Sequence, residues 1–203
     1  MGKFGKDDVV VIEKNTVFQG YFRIDRYLLK HRTFAGGWTP PVSREVFERG
    51  HAVAVLLYDP VRDEVAMIEQ FRAGALAAGR APWLIEVVAG IIDDGEGMEE
   101  VARRESLEEA GCEVGELVKI ADVILTPGAA SETIRLYCGR VDCTHLGGLH
   151  RLADEAEDIR VFTLPTDEAI AMVKDGRINN STAMICLMWL AGERDALRKT
   201  WGA

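Results

Sequence analysis

The 203-residue chain is 48% hydrophobic and 28% charged, with a formal net charge of -9, a profile that excludes a disordered or fibrous chain and leaves enough apolar residues for a core. No run approaches the ~18 consecutive apolar residues that would span a bilayer. The first residues, Met1-Gly2-Lys3-Phe4-Gly5-Lys6-Asp7-Asp8, lack the apolar centre of a signal peptide, so a cytoplasmic protein away from membranes is expected. The acidic balance also argues against nucleic-acid binding, which needs a basic patch.

Taken in chain order, residues 8–34 contain the runs Val9-Val10-Val11-Ile12 and Tyr21-Phe22-Arg23-Ile24 and predict two or three antiparallel strands. Residues 44–49 add another, giving residues 1–50 a small N-terminal β-sheet. Such a sheet has a poor core alone and needs a partner surface. Residues 52–58 and 64–69 predict a hairpin closed by the turn Asp59-Pro60-Val61-Arg62-Asp63. Residues 73–82 read as a loop, and residues 83–88 as a short strand ending at Ala89-Gly90. A helix is expected over 98–110. Acidic residues near its start suit the helix dipole, and Gly111 stands where a C-terminal cap belongs. Further strands are predicted at 118–125, 133–141 and 158–164, then helices at 166–175 and 181–198. This mixture indicates an α/β (α+β) sandwich over 51–203.

Cys112, Cys138, Cys143 and Cys186 form no C-x-x-C pair and read as buried thiols, not a zinc or redox site. His31, His51, His145 and His150 have no paired spacing and read as structural or surface residues. Trp38, Trp83, Trp189 and Trp201 read as packing groups.

The informative segment runs from Gly90 through Glu96 to Arg104-Glu105-Ser106-Leu107-Glu108-Glu109-Ala110-Gly111-Cys112. Residues three and four apart share a helix face, so Glu105, Glu108 and Glu109 are expected to project together and repel by a few tenths of a kcal/mol per pair. A hard divalent cation with oxygen ligands would offset that, and Arg104 could orient one carboxylate by a bidentate bond. A solvated acidic helix face would carry the same E-x-x-E-E spacing.

The segment resembles the Nudix signature, Gly-x5-Glu-x7-Arg-Glu-U-x-Glu-Glu-x-Gly-U with U a bulky aliphatic residue. It departs from it at Ser106 and Cys112. Thr126-Pro127-Gly128, Glu69-Gln70-Phe71-Arg72, Leu152-Ala153-Asp154-Glu155-Ala156-Glu157-Asp158-Ile159, Tyr21-Phe22 and Arg44-Glu45-Val46-Phe47-Glu48-Arg49 extend the likeness to the bacterial ADP-ribose pyrophosphatase branch. The resemblance implies an α/β/α sandwich with a mixed sheet, and a homodimer that exchanges its N-terminal sheets. It implies two or three Mg²⁺ ions, with Mn²⁺ able to substitute, held by Glu105, Glu109, Glu157 and the Ala89 carbonyl. On the same resemblance Glu108 would contribute through the metal shell, Glu96 would support the loop, Arg104 would orient carboxylates, and Glu155 would be the base of a mobile loop. Tyr21, Arg44, Glu45 and Arg72 would contact substrate. The activity implied is cleavage of ADP-ribose to AMP and ribose 5-phosphate, with another nucleoside diphosphate sugar such as GDP-mannose as the alternative.

Overall fold

The computed structural model describes residues 3–152 and 157–202, with the backbone alone at 151, 152 and 157. The chain divides into two units, Met1–His51 with Ile124–Thr133, and Ala52–Val123 with Ile134–Ala203.

The first unit holds β1 (Val9–Gln19), β2 (Arg23–His31) and β3 (Val42–Glu48), in the order β1-β2-β3 with both pairings antiparallel. Every residue of β1 is exposed, Val9, Val10, Val11, Ile12, Val17 and Phe18 among them, which fits the expectation of a sheet with little core of its own. Asp25 of β2 is nonetheless buried. The Thr16 hydroxyl donates to it at 2.7 Å and Lys14 pairs with it at 3.0 Å, so its charge is met by partners. The 124–133 segment is laced to the end of β3: the Phe47 N–H donates to the Ala129 carbonyl at 2.8 Å, and the Ser131 N–H to the Phe47 carbonyl at 3.2 Å.

The second unit is built on β4 (Ala52–Asp59), β5 (Glu64–Phe71), α1 (Ala73–Ala77), β6 (Trp83–Glu86), β7 (Val88–Ile91), α2 (Met98–Ala110), β8 (Leu117–Ile124), β9 (Thr133–Arg140), β10 (Gly148–Leu152), β11 (Glu157–Pro165), α3 (Thr166–Lys174) and α4 (Ser181–Thr200). Its strands run in the order β10-β11-β5-β4-β9-β8, with β6 added to β5 and β7 to β4. β4 and β9 are parallel, while the β10–β11, β11–β5 and β4–β5 pairs are antiparallel, so the sheet is mixed as expected.

All eight residues of β4 are buried, which requires cover on both faces. Side chains alternate along a strand. Val53, Val55 and Leu57 pack with Val101, Ala102 and Ala110 of α2. On the opposite face Tyr58 meets Trp201, which caps α4, at a ring-centroid distance of 6.4 Å. Three layers follow from the pattern of β4 alone. The four cysteines are buried free thiols, and burial raises the pKa of Cys112 to about 11.

Three local expectations are corrected. The stretch expected as a loop contains α1, whose Ala75 and Leu76 amides donate to the Arg72 carbonyl at 3.1 and 3.3 Å. Alanine, the best helix former, makes this turn possible. The single strand expected over 83–88 is two strands, because β6 pairs with β5 and β7 with β4. β10 was not expected at all; it lies at the sheet edge against β11.

Asp63 lies in the left-handed region at φ 58° and ties the β4–β5 turn to two helices. Its carboxylate accepts from the Tyr58 hydroxyl at 2.9 Å and from the guanidiniums of Arg194 and Arg198, while its carbonyl accepts from the Thr166 N–H at 3.0 Å. The Arg194 hydrogen bond is the main reason the Asp63 carboxyl is held below its ordinary pKa. A depressed folded-state pKa gives stability that is complete above the unfolded value of ~3.9 and is lost as pH falls through the lower folded value. Asparagine tolerates the left-handed backbone, so Asp63→Asn isolates the charge. The expected result is a loss of about 2–3 kcal/mol at neutral pH, a melting point lower by roughly 5–10 °C, and a shallower acid-side decline in stability. Thermal melts between pH 3 and 7 check it.

Candidate active site

The signature helix α2 begins after Gly97, whose N–H donates to the Glu100 side chain at 2.9 Å. It ends at Gly111, in the left-handed region at φ 64°. There the Gly111 N–H donates to the Leu107 carbonyl at 3.0 Å, the closure of a left-handed (αL) cap, and the Cys112 N–H donates to the Ser106 carbonyl at 3.2 Å. Ser106 and Cys112, the two departures from the aliphatic positions, both pack inside. Ser106 is fully buried with its hydroxyl donating to the Ala102 carbonyl at 2.7 Å, so it leaves no unmet donor.

β7 brings Ala89 and Gly90 beside α2 by pairing with Ala54 and Val53 of β4. The Ala89 N–H donates to Glu109 Oε2 at 3.1 Å. In a strand the N–H and C=O of one residue point to the same edge, so the Ala89 carbonyl is on the Glu109 side. Gly90 lies against Glu105: a Cβ built there would stand 1.6 Å from Glu105 Oε1. Any side chain at 90 would therefore occupy the place of this carboxylate.

Arg104 is the hub of the acidic cluster. Its Nε and Nη2 donate to the two oxygens of Glu96 at 2.9 and 3.0 Å. Its Nη1 donates to Glu105 at 2.7 Å and Glu108 at 3.0 Å. The Glu96 hydrogen bond leads the rise of the Arg104 pKa above its already high ordinary value, and the same bond holds the Glu96 carboxyl below its own.

The three glutamates thus do not form one open stripe, as the helical spacing suggests. Glu109 turns into the protein and is 3% exposed, while the Glu105 and Glu108 side chains are 13% and 42% exposed. Among the described residues no three histidine, cysteine, aspartate or glutamate side chains converge to hold a metal ion. Arg104 and the Ala89 amide supply compensation that the sequence reading assigned to a cation alone. The donor chemistry still suits a hard divalent ion. Glu105 and Glu109 are anionic oxygen donors largely withdrawn from water, a backbone carbonyl lies on the same side, and Gly90 gives the room.

Arg72 follows β5, and its Nε and Nη2 lie 2.9 and 2.8 Å from Glu86 Oε2. Tyr21, Arg44 and Glu45 belong to the N-terminal unit. Tyr21 is 89% exposed and meets Phe22 edge-on at 4.7 Å. Arg44 donates to the Ser43 carbonyl at 2.8 Å, and Glu45 pairs with Arg26 at 3.0 Å. Glu155 lies outside the described residues, as does the side chain of Glu157, whose backbone opens β11 opposite Leu152. The sequence reading missed Glu86, Gln70 and the Arg49–Glu132 ion pair at 3.3 Å. The last joins residues far apart in the chain and leaves no local signal. Glu86 could have been found by asking which strand residue faces Arg72.

The family model of the NUDIX domain matches residues 48–180. The chain is 45% identical over 198 residues to an ADP-ribose pyrophosphatase of Escherichia coli (strain K12), covering 98% of this chain and 95% of that one. It is 39% identical over 201 residues to an ADP-ribose pyrophosphatase of Haemophilus influenzae, covering 98% and 93%. A GDP-mannose pyrophosphatase of Pectobacterium atrosepticum is 33% identical over 181 residues, covering 87% and 91%. The crystal structure of an ADP compounds hydrolase, 20% identical, superposes with a TM-score of 0.71 over 96% of each chain and shares the fold. With the signature helix, its capping glycine and its glutamates assembled against β7, the chain belongs to the NUDIX family.

Proposed function

We propose that this chain hydrolyses the pyrophosphate bond of ADP-ribose to AMP and ribose 5-phosphate, with two or three Mg²⁺ ions, which Mn²⁺ can replace. The observation that carries the reading is the junction of Ala89, Gly90, Glu105 and Glu109 in a chain 45% identical, over nearly its full length, to ADP-ribose pyrophosphatases. The lower identity, 33%, to a GDP-mannose pyrophosphatase makes GDP-mannose the second reading.

Pyrophosphatases of this family depend on a divalent metal. Glu105, Glu109, Glu157 and the Ala89 carbonyl would hold it, with Glu108 acting from the outer shell. Bound there, the metal would neutralise phosphate charge and lower the pKa of water. Arg104 sets the direction of the Glu105 and Glu108 carboxylates, and Glu96 anchors Arg104 by two hydrogen bonds. Arg72 would bind the diphosphate, and Tyr21, Arg44 and Glu45 would contact the nucleoside and sugar. In the reaction a water oxygen bonds to one phosphorus as the bridging P–O bond breaks. The water proton passes to Glu155 and the bridging oxygen leaves on the other phosphate. The exposed apolar side chains of β1 support a homodimer that exchanges the N-terminal sheets. Among the described residues no helix is long and apolar enough to cross a membrane.

The test is product analysis with ADP-ribose and GDP-mannose in Mg²⁺, with and without chelator. ADP-ribose is expected to give AMP and ribose 5-phosphate with kcat/KM at least about tenfold above GDP-mannose. Chelation should stop turnover and Mg²⁺ restore it. Preference for GDP-mannose would transfer the assignment to the second reading; turnover in excess chelator would remove the metal from it.

A further inference from the structure

We propose that Glu86 is a positioning residue that fixes the guanidinium plane of Arg72 toward the substrate diphosphate, an inference resting on the pyrophosphatase reading above. The backbone of Arg72 is held on both sides. Its N–H donates to the Pro82 carbonyl at 2.7 Å, and its own carbonyl accepts from Ala75 and Leu76. That fixes the Cα but leaves a long side chain with many rotamers. Glu86 removes this freedom. The guanidinium Nε donates to Oε2 of Glu86 at 2.9 Å and its Nη2 lies 2.8 Å from the same oxygen, so one hydrogen bond and a close ion pair to two nitrogens of one rigid plane restrict its orientation.

Glu86 is itself well placed to be an anchor. It stands opposite Ile68 in the β5–β6 register. β6 is held from the other side by the Asn180 side chain, which donates to the Ile85 carbonyl at 2.7 Å. The Glu86 side chain is 14% exposed against 39% for Arg72, so the acid sits inward and the cation outward. Gln70, in the strand that Arg72 follows, is buried and contributes a donor to Glu86 Oε2 at 3.4 Å. The strand face of Gln70 also carries Ala66 and Ile68, which pack with Val101 and Ala102 of the signature helix. Glu86, opposite Ile68, therefore projects on the α2 side of the sheet, and Arg72 meets it there.

An inward carboxylate close to an anion site would weaken substrate binding if charge were its role. Paired with Arg72 it trades charge for direction, and direction matters most when the diphosphate geometry changes on the way to the transition state. Glu86→Gln keeps the shape and removes the negative charge. It is expected to lower kcat by on the order of tenfold to a hundredfold and to leave KM for ADP-ribose equal or lower, because one negative charge beside the diphosphate is removed. Loss of a purely structural residue would not separate the two constants this way.

The experiment measures kcat and KM for ADP-ribose with Mg²⁺ in the full chain, alongside melting points. The variants are Glu86→Gln, Arg72→Ala, the double variant and Arg72→Lys. In the Arg72→Ala background Glu86→Gln should add less than about twofold, the non-additivity expected when one residue acts through another. Arg72→Lys keeps the charge but cannot form the two-nitrogen hold, so it should reproduce the kcat loss even if Glu86→Gln proves unstable. Wild-type kinetics for Arg72→Lys, or a Glu86→Gln effect that is undiminished in the double variant, overturns the positioning role and leaves the pyrophosphatase reading intact. Wild-type kinetics for Arg72→Ala removes the phosphate role of Arg72 and the inference with it. Absence of ADP-ribose hydrolysis in the unmodified chain instead rejects the reading beneath both.

Discussion

Glu109→Gln is expected to lower kcat for ADP-ribose by on the order of a thousandfold, since it removes one anionic ligand from a site whose metal contributes several kcal/mol to the transition state. The fold should survive. Glu109 is 3% exposed and its Oε2 accepts the Ala89 N–H at 3.1 Å. Glutamine has the same shape and an amide oxygen that can accept the same bond. The melting point should therefore change by no more than a few degrees, the effect of a shift of about 1 kcal/mol in a chain of this size. Steady-state kinetics over a range of Mg²⁺ concentrations, paired with thermal melts, check both halves. Full activity would withdraw Glu109 from the metal, and a collapsed melting point with lost activity would make its burial, not its charge, the operative property.

Gly90→Ala is expected to reduce kcat/KM by about a hundredfold and to raise the Mg²⁺ concentration needed for half-maximal rate by about tenfold or more. The physical cause is space. A Cβ at 90 would stand 1.6 Å from Oε1 and 1.9 Å from Cδ of Glu105, so the carboxylate must leave. Because the obstructed group is the far end of a flexible side chain, β7 and its pairing with β4 should persist and the loss of stability should be small. Unchanged kinetics and Mg²⁺ dependence would mean that Glu105 acts from a different position. Coupling Gly90→Ala to Glu105→Gln in one background separates the two causes: the double variant should be little worse than Glu105→Gln alone.

Much of the site was legible in the sequence because α2 is a local structure. Helical spacing alone placed Arg104, Glu105, Glu108 and Glu109 on neighbouring positions, and the bounds of α2, Met98–Ala110, and the cap at Gly111 agree with the expectation. The same locality misled in one respect. Spacing put the three glutamates on one face, but whether such a carboxylate is solvated, paired or buried depends on what lies across from it. β7 draws Glu109 inward, and Arg104 takes Glu105 and Glu108. The expected strand over 83–88 failed for a similar reason. It runs without a turn signal, while its hydrogen-bond partner changes from β5 to β4, and a pattern of side chains does not say which neighbour the backbone will join.

By itself the sequence determined the family, through glycine, arginine and glutamates at fixed offsets, and the helix on which they stand. It also determined that 52–58 and 64–69 form a hairpin; that the first of these strands is covered on both faces came from its burial. Only the tertiary structure decided that Gly90 makes room for Glu105, that Ala89 presents its amide to Glu109, and that Arg72 is held by Glu86. Those relations cross from strand to helix or from one strand to the next. They are set by sheet pairing and layer packing, which no periodicity within a single segment can specify.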